Sequence, residues 1–99
     1  MYLQWAYMKY EWDEAKNTLN IEKHGIDFND AHELFGGNRL IFPDARKDYG
    51  EDRFITVGLI RDRLLVAVYT QRQEEAIRII SIRKANSREK EQYEKTVRN

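Results

Sequence analysis

Arg78-Ile79-Ile80-Ser81-Ile82-Arg83-Lys84-Ala85 is the stretch of this sequence that decides the fold. Its interior is rich in β-branched residues and apolar on both faces, and an arginine lies near each end. Side chains alternate between the two faces of a β-strand, so a strand with one exposed face would alternate apolar and polar residues. The lack of such alternation predicts a strand covered on both sides, and we place it in the middle of the sheet.

The same geometry predicts where the two arginines of this strand point. Regular alternation places Arg78 on the side of Ile80 and Ile82, and it places Arg83 on the opposite side together with Ser81. Without a β-bulge the two guanidinium groups therefore cannot share one site. Because a buried arginine is costly to leave unpaired, each is expected to be fixed by a carboxylate or held for a phosphate-bearing ligand.

Length and composition predict one small domain without a cofactor. A chain of 99 residues can bury one hydrophobic core, so residues 1–99 are expected to form a single domain. The chain has no cysteine, and its two histidines, His24 and His32, cannot by themselves close a zinc site. A glycine-rich phosphate loop and paired metal-ligand motifs are also absent from the sequence. We therefore expect neither a bound metal nor a cofactor.

The hydrophobic pattern predicts a soluble, cytoplasmic protein. The longest apolar run, Leu64 to Tyr69, is far too short to span a membrane. The first residues, Met1 to Trp5, lack the cationic and apolar segments of a signal peptide. The absence of cysteine also suits a reducing compartment.

Charge is balanced overall but is distributed unevenly. The sequence has 17 basic residues (Lys and Arg) and 17 acidic residues (Asp and Glu), which argues against an indiscriminate nucleic-acid binder. Residues 1–50 contain 6 basic and 9 acidic side chains, net −3, whereas residues 51–99 contain 11 and 8, net +3. Eight of those 11 basic residues are arginines, whose planar fork suits phosphate. This bias permits RNA binding, although ordinary solvated charges are the simpler explanation.

Caps, breaks and periodicity predict an α+β domain. Asp13 is a natural N-cap and Gly25 a natural C-terminal stop for a first helix, and Asn86 with Glu89 makes a capping-box start for a last one. The predicted elements are a strand over about 7–12, helices over 14–24 and about 28–35, a strand over 39–42, an irregular loop over 44–50, strands over about 53–60, 64–71 and 76–83, and a helix over about 87–97. This β-α-α-β-β-β-β-α order, with short breaks between the last strands, predicts a mainly antiparallel sheet with helices packed on it.

The first helix is predicted to carry polar residues beside its core-facing side. Trp12, Ala15 and Leu19 share one face at helical spacing and are expected to pack on the core. A polar stripe formed by Lys16, Asn20 and Lys23 borders that face.

The charged residues offer the groups needed to cleave RNA without a metal. The 2′-hydroxyl of RNA can attack the adjacent phosphate, and a protein then needs a base, an acid and cations for the developing negative charge. His24 beside Lys23 and the Glu51-Asp52-Arg53 step supply proton-transfer groups and cations. The arginines of the 78–85 stretch supply further positive charge.

A set of separated motifs extends from Tyr10 to Tyr93. They are Tyr10-Glu11-Trp12-Asp13, Lys16, Asn20, Lys23-His24-Gly25, Phe28, Ala31, Phe35, Glu51-Asp52-Arg53, Gly58, the stretch from Arg78 to Ala85, Glu89 and Tyr93. This combination resembles the BrnT family of toxins, also known as the DUF497 family. Two departures are visible: Ile82 stands where the family commonly has alanine, and residues 1–7 extend beyond the usual start. The first concerns packing, because the flanking arginines are retained.

The resemblance implies a RelE-like fold and a ribonuclease that halts translation. It also implies three interactions: an RNA substrate, a cognate BrnA-type antitoxin that neutralises the toxin, and operator DNA that is bound only through the toxin–antitoxin complex. A membrane is not among the implied partners.

Residue by residue, the resemblance implies a site made of ten side chains. The catalytic candidates are Lys23, His24, Glu51, Arg53, Arg83 and Tyr93. The RNA-binding candidates are Lys16, Asn20, Arg78 and Lys84. We expect Arg53 and Arg83 to bind phosphate, Lys23 to add a cation, His24 or Glu51 to transfer protons, and Tyr93 to stack on a base or donate a proton. Arg78 is expected to be structural or to lie at the antitoxin interface.

Each of these residues also has a plain structural explanation. Lys23 and His24 can satisfy the carbonyls at the end of the first helix, and Glu51 with Arg53 can form an ordinary surface pair. Tyr93 can anchor the last helix. The rival function is accordingly a non-catalytic subunit that binds an antitoxin or operator DNA, in which the arginines only position carboxylates.

Overall fold

Residues 8–98 are described by the structure, a computed structural model, and they form five β-strands and three α-helices. The elements are β1 (Lys9–Glu11), α1 (Glu14–His24), a 3₁₀ turn (Phe28–Asp30), α2 (Ala31–Gly36), β2 (Leu40–Pro43), β3 (Arg53–Ile60), β4 (Arg63–Gln73), β5 (Ala76–Lys84) and α3 (Ser87–Tyr93), which continues as a π-helical turn (Glu94–Arg98). The predicted order and α+β class are confirmed. Tyr7, predicted in the first strand, lies outside the described residues.

The helix boundaries follow from capping residues. Asp13 Oδ1 accepts hydrogen bonds from the backbone N–H groups of Ala15 at 2.8 Å and Lys16 at 3.3 Å, and so begins α1. Gly25 ends it with a φ of 69°, a left-handed conformation that glycine adopts without strain. Asn86 and Glu89 form a capping box at the start of α3. All three caps were predicted from the sequence.

The strands form one sheet in the order β1-β5-β4-β3-β2. The last four strands of the chain pair antiparallel, as predicted, whereas β1 pairs parallel to the start of β5. The middle strand is therefore β4, and the prediction that the 78–85 stretch occupies the middle is wrong. β5 still lies inside the sheet, but β1 covers its outer edge only from Ala76 to Arg78.

A β-bulge interrupts β5. Tyr69 of β4 pairs with Ile79, and the preceding residue, Val68, pairs with Ser81. Ile80 is thus an extra residue without a partner in β4. An inserted residue shifts the alternation of all residues after it, so those side chains change sides relative to a regular strand.

The bulge places Arg78 and Arg83 on the same face of the sheet. Paired residues point to the same side, and Arg78 pairs with Thr70 while Arg83 pairs with Val66, an even number of residues away along β4. Ile82 packs instead in the core on the other side. The prediction that the two arginines face opposite sides is therefore wrong. The face of the sheet that carries Arg53, Arg78 and Arg83 is called the arginine face below.

The opposite face of the sheet holds the main core. Its buried members come from the sheet, from α2, and from the 3₁₀ turn with the loop before it, and they include Ile26, Phe28, Ala31, Leu34, Phe35, Ile60, Leu65, Ala67, Tyr69, Ile77, Ile79 and Ile82. Gly58 of β3 lets α2 approach closely, because an added Cβ would lie 3.3 Å from Leu34 Cγ. Phe35 contacts Tyr69 edge to face with ring centroids 4.9 Å apart.

α1 packs on the sheet through asparagines, not through the predicted apolar face. Leu19 is 62% exposed, whereas Asn17 and Asn20 are the buried residues of the helix. Trp12, which precedes the helix, does pack on the core, edge to face with Phe28. The prediction that Leu19 faces the core is wrong, because hydrogen bonds and not apolar contacts fix the orientation of this helix.

Asn20 links α1 to two other segments. Its Nδ2 donates to the Ile26 carbonyl at 3.1 Å, and its Oδ1 accepts from the backbone N–H of Ile82 at 3.3 Å. That N–H lies on the part of β5 that β1 does not cover. Asn20 therefore satisfies an otherwise unpaired group at the strand edge.

The arginine face is partly covered by α3. Tyr93 is 3% exposed and packs on Val57 and Val66, and its hydroxyl donates to the Asn38 carbonyl at 3.3 Å. Among residues 8–98, no helix covers the part of the face beyond this contact, towards Arg53 and Arg78. Among the described residues no helix has the length and apolar content needed to cross a lipid bilayer.

We predict that Asn20→Ala lowers the free energy of unfolding by about 1–3 kcal/mol, because it leaves a buried N–H and a buried carbonyl without partners. Leu19→Ala, one residue earlier on the same helix, is the control and should change the free energy by less than about 0.5 kcal/mol. Urea denaturation of both variants measures the difference. Equal effects would show that α1 is held by its apolar residues.

Candidate active site

Arg53 and Arg78 flank the middle strand on the arginine face. Both pair with Thr70, from β3 and β5 respectively. Neighbouring strands lie about 4.8 Å apart, so the Cα atoms of the two arginines are separated by about 10 Å. The Thr70 hydroxyl donates to the Asp52 carbonyl at 2.7 Å and ties the start of β3 to β4.

Arg78 is the less constrained of the two. Its Nη1 lies 3.9 Å from Glu11 Oε1, beyond hydrogen-bonding distance, and its side chain is 33% exposed. Glu11 is its direct neighbour in β1. The pair therefore leaves the Arg78 guanidinium available to an anion.

Glu89 fixes Arg83 with two hydrogen bonds. Arg83 Nη1 donates to Glu89 Oε1 at 2.9 Å and Nη2 donates to Oε2 at 2.7 Å. The same carboxylate accepts from the backbone N–H of Asn86, so the capping box of α3 orients the arginine. The hydrogen bonds from Arg83 hold the pKa of Glu89 below its usual value. The Arg83 side chain remains 40% exposed.

Arg53 is held by a carboxylate and by an aromatic ring. Its Nε donates to Glu51 Oε2 at 3.1 Å, and its guanidinium lies over the Tyr49 ring, 4.1 Å from the centroid. The Glu51 side chain is 31% exposed. The predicted pairing of Glu51 with Arg53 places a carboxylate and a cation together at the edge of the arginine face.

The loop before β3 adds a group of residues that were not predicted. The Asp44 side chain is fully shielded from solvent and accepts from Arg46 Nε and Nη2, each at 2.7 Å. Tyr49 donates its hydroxyl to the same carboxylate at 3.2 Å. These hydrogen bonds, led by those from Arg46, lower the pKa of Asp44 to about 2. The signal in the sequence is the spacing of Asp44 and Arg46, which suits an Asx turn.

This loop lies beside Arg53, at the start of β3. The Asp44 backbone N–H donates to the Arg53 carbonyl at 2.8 Å, and the Arg53 guanidinium lies over the Tyr49 ring. The positive charge of Arg46 also opposes the rise in pKa that Glu89 causes in Arg83.

The candidates on α1 form a separate group. Lys16 and Lys23 are exposed, and His24 is half-buried at the end of the helix. Within the described residues, no hydrogen bond, ion pair or ring contact joins these three side chains to Arg53, Arg78 or Arg83. Both amide atoms of Asn20, the fourth candidate on α1, are used inside the protein.

Two further candidates lie at the end of the sheet. Tyr93 is buried under α3 with its hydroxyl bound to a backbone carbonyl, as expected for a residue that anchors the helix. Lys84 is exposed and pairs with Leu65, so it lies at the end of β5. The structure thus brings together Glu51, Arg53, Arg78 and Arg83, and it adds Asp44, Arg46, Tyr49 and Glu89.

Comparison with known proteins identifies a family to which this sequence is similar. A family model described as "Ribonuclease toxin, BrnT, of type II toxin-antitoxin system" matches residues 12–89. The chain belongs to the BrnT family of ribonuclease toxins. The matched range of this BrnT-family protein contains Arg46, Arg53, Arg78 and Arg83, and it ends before Tyr93.

A solved structure supports the same assignment. The crystal structure of the Brucella abortus ribonuclease toxin BrnT shares 34% sequence identity with this BrnT-family chain, with a TM-score of 0.67. The match covers 81% of this chain and 99% of that one. The RelE-like fold expected from the sequence is confirmed. The sequence has no match among curated proteins.

We predict that Glu89→Gln lowers the free energy of unfolding at neutral pH by about 0.5–1 kcal/mol, since Arg83 is partly exposed and glutamine preserves the cap. A lowered carboxyl pKa stabilises the fold above the ordinary glutamate value of 4.5, and this contribution is lost as the pH falls below it. The variant should therefore lose less stability on acidification than the wild type. Urea denaturation from about pH 7 to about pH 3 measures this.

The control for this experiment is Glu91→Gln on the same helix. Glu91 is 70% exposed and lies 3.9 Å from Lys95. Its replacement should leave both the stability and its pH dependence unchanged. A Glu89 variant that behaves like the Glu91 variant would contradict a structural role for the Arg83–Glu89 pair.

Proposed function

We propose that this protein cleaves RNA on the arginine face, without a metal ion, by attack of the substrate's own 2′-hydroxyl. The observation that carries the proposal is that Arg53, Arg78 and Arg83 project from one face, because the bulge at Ile80 reorients the end of β5. Guanidinium groups at fixed positions suit a phosphate whose negative charge increases in the transition state.

The reaction requires two proton transfers and no redox chemistry. The 2′-oxygen forms a bond to phosphorus and gives its proton to a base. The bond between phosphorus and the 5′-oxygen breaks, and that oxygen takes up a proton. The products are a 2′,3′-cyclic phosphate and a 5′-hydroxyl end.

The family resemblance and the contacts on the arginine face support the following roles. Arg53 and Arg83 bind the reacting phosphate, and Arg78 binds the RNA backbone beside it. Glu51 acts as the base: its partly exposed carboxylate lies 3.1 Å from Arg53 Nε and therefore beside the phosphate that Arg53 binds. Lys16, Lys23 and Lys84 supply positive charge along the path of the RNA. His24 is the alternative proton-transfer group, although it lies on α1.

We predict that the purified protein cleaves single-stranded RNA in excess chelator. Arg83→Gln should reduce kcat/KM by about a hundredfold, since removal of one donor to a developing anion typically costs that much. Arg61→Gln is the control: Arg61 is 71% exposed and pairs with Asp30, on the side of the sheet that holds the main core. Analysis of the RNA ends for a cyclic phosphate measures the reaction type.

Three outcomes would contradict parts of this proposal. Intact RNA after incubation with folded wild-type protein favours the rival function, a non-catalytic subunit whose arginines only hold carboxylates. Cleavage that chelator abolishes contradicts the metal-free route. A loss of activity with His24→Ala, but not with Glu51→Gln, assigns proton transfer to His24.

We further propose that a BrnA-type antitoxin neutralises the protein by covering the arginine face, and that operator DNA is bound only by the resulting complex. Acidic side chains of the antitoxin would meet Arg78, whose nearest carboxylate is 3.9 Å away. Arg78→Glu should weaken the complex by at least about tenfold in Kd, because like charges repel. Calorimetric titration measures this, and unchanged affinity would place the interface elsewhere.

A further inference from the structure

The Asp44–Arg46 pair on the loop before β3 has features that stability does not explain. Arg46 is 65% exposed although its Nε and Nη2 are bound to Asp44. Ion pairs with an exposed partner contribute little to stability. The positive charge of Arg46 also opposes that of Arg83, because it works against the rise in the pKa of Arg83.

The geometry of the pair directs one edge of the guanidinium outward. Asp44 occupies the edge formed by Nε and Nη2, and the Tyr49 side chain is a further neighbour of the guanidinium. An arginine has five N–H donors, so the outer edge can still bind an anion. The rotamer is fixed in advance, which lowers the entropic cost of binding.

The contacts that hold the Asp44–Arg46 pair also involve Arg53. Asp44 is anchored by its backbone N–H, which donates to the Arg53 carbonyl at 2.8 Å. The Tyr49 hydroxyl donates a hydrogen bond to Asp44, and the Arg53 guanidinium lies over the Tyr49 ring. One connected set of contacts therefore positions both Arg53 and Arg46.

We propose that Arg46 binds an RNA phosphate adjacent to the one held by Arg53 and Arg83, and that Asp44 is the residue that positions it. This inference rests on the proposed ribonuclease function. It adds a substrate-binding residue to the arginine face, on the loop that contacts Arg53. Tyr49 is a supporting residue and not a base-stacking one, since Arg53 and Lys47 both lie over its ring, at 4.1 Å and 5.2 Å.

The test combines cleavage kinetics with salt-dependent binding. Arg46→Gln should reduce kcat/KM by about tenfold or more, the effect of losing one charge-assisted hydrogen bond. It should also make the slope of log K against log salt shallower by about 0.7, because one phosphate contact on single-stranded RNA is lost. Binding is measured with 2′-O-methyl RNA, which lacks the attacking hydroxyl. Arg61→Gln is the matched control, since it removes another exposed arginine paired with an aspartate.

A double-mutant cycle tests the role of Asp44. Asp44→Asn should lower kcat/KM while leaving the salt slope near the wild-type value, because the charge of Arg46 is retained. In the Arg46→Gln background the same substitution should reduce kcat/KM by a smaller factor than in the wild type, because only its effect on Arg53 through Tyr49 remains. If Asp44 did not act through Arg46, Asp44→Asn would instead reduce kcat/KM by the same factor in both backgrounds.

The outcomes separate this inference from the function on which it rests. Wild-type protein that cleaves RNA, with Arg46→Gln matching it in kcat/KM and salt slope, overturns the role of Arg46 alone. Wild-type protein that neither binds nor cleaves RNA overturns the proposed function and this inference together. Urea denaturation confirms that each variant is folded before it is assayed.

Discussion

One inserted residue in β5 determines which side chains share the arginine face. The pairing of β4 with β5 passes from Tyr69–Ile79 to Val68–Ser81 and leaves Ile80 without a partner. In a strand, a shift by one residue moves every later side chain to the other side. The bulge therefore buries Ile82 in the main core and turns Arg83 towards the side of Arg78. The packing of an apolar residue and the position of a charged one are fixed by the same backbone irregularity.

The arginines on this face are held at fixed positions, but they are not neutralised in the same way. Glu89 binds Arg83 with two hydrogen bonds, and Asp44 does the same for Arg46. Such pairs fix rotamers while the Arg83 and Arg46 side chains remain 40% and 65% exposed, which suits a site that must bind a polyanion without reorganising. Arg78 has only a distant carboxylate. Arg83 and Arg46 are thus held in position by carboxylates, whereas Arg78 is available to a protein partner.

The first helix shows that polar contacts can orient an element as firmly as apolar ones. Asn17 Oδ1 accepts a hydrogen bond from the backbone N–H of Phe28 at 2.8 Å, and Asn20 Oδ1 accepts one from the backbone N–H of Ile82 at 3.3 Å. Both N–H groups would be costly to bury unpaired, so the asparagines face inward and Leu19 faces solvent. As a result, Lys16 and Lys23 lie exposed on α1, and within the described residues no hydrogen bond, ion pair or ring contact joins them or His24 to Arg53, Arg78 or Arg83.

The sequence by itself determined the order of the elements, the caps at Asp13, Gly25 and Asn86, and the residues that carry the family resemblance, because these depend on local backbone chemistry and on spacing along the chain. It also indicated Arg53 and Arg83 as phosphate-binding residues, a role that remains a proposal. Only the tertiary structure decided the parallel pairing of β1, the bulge at Ile80, the inward-facing asparagines and the contacts of the Asp44–Tyr49 loop with Arg53. Each of these depends on contacts between segments that are separated along the chain, and the energies of those contacts override local periodicity.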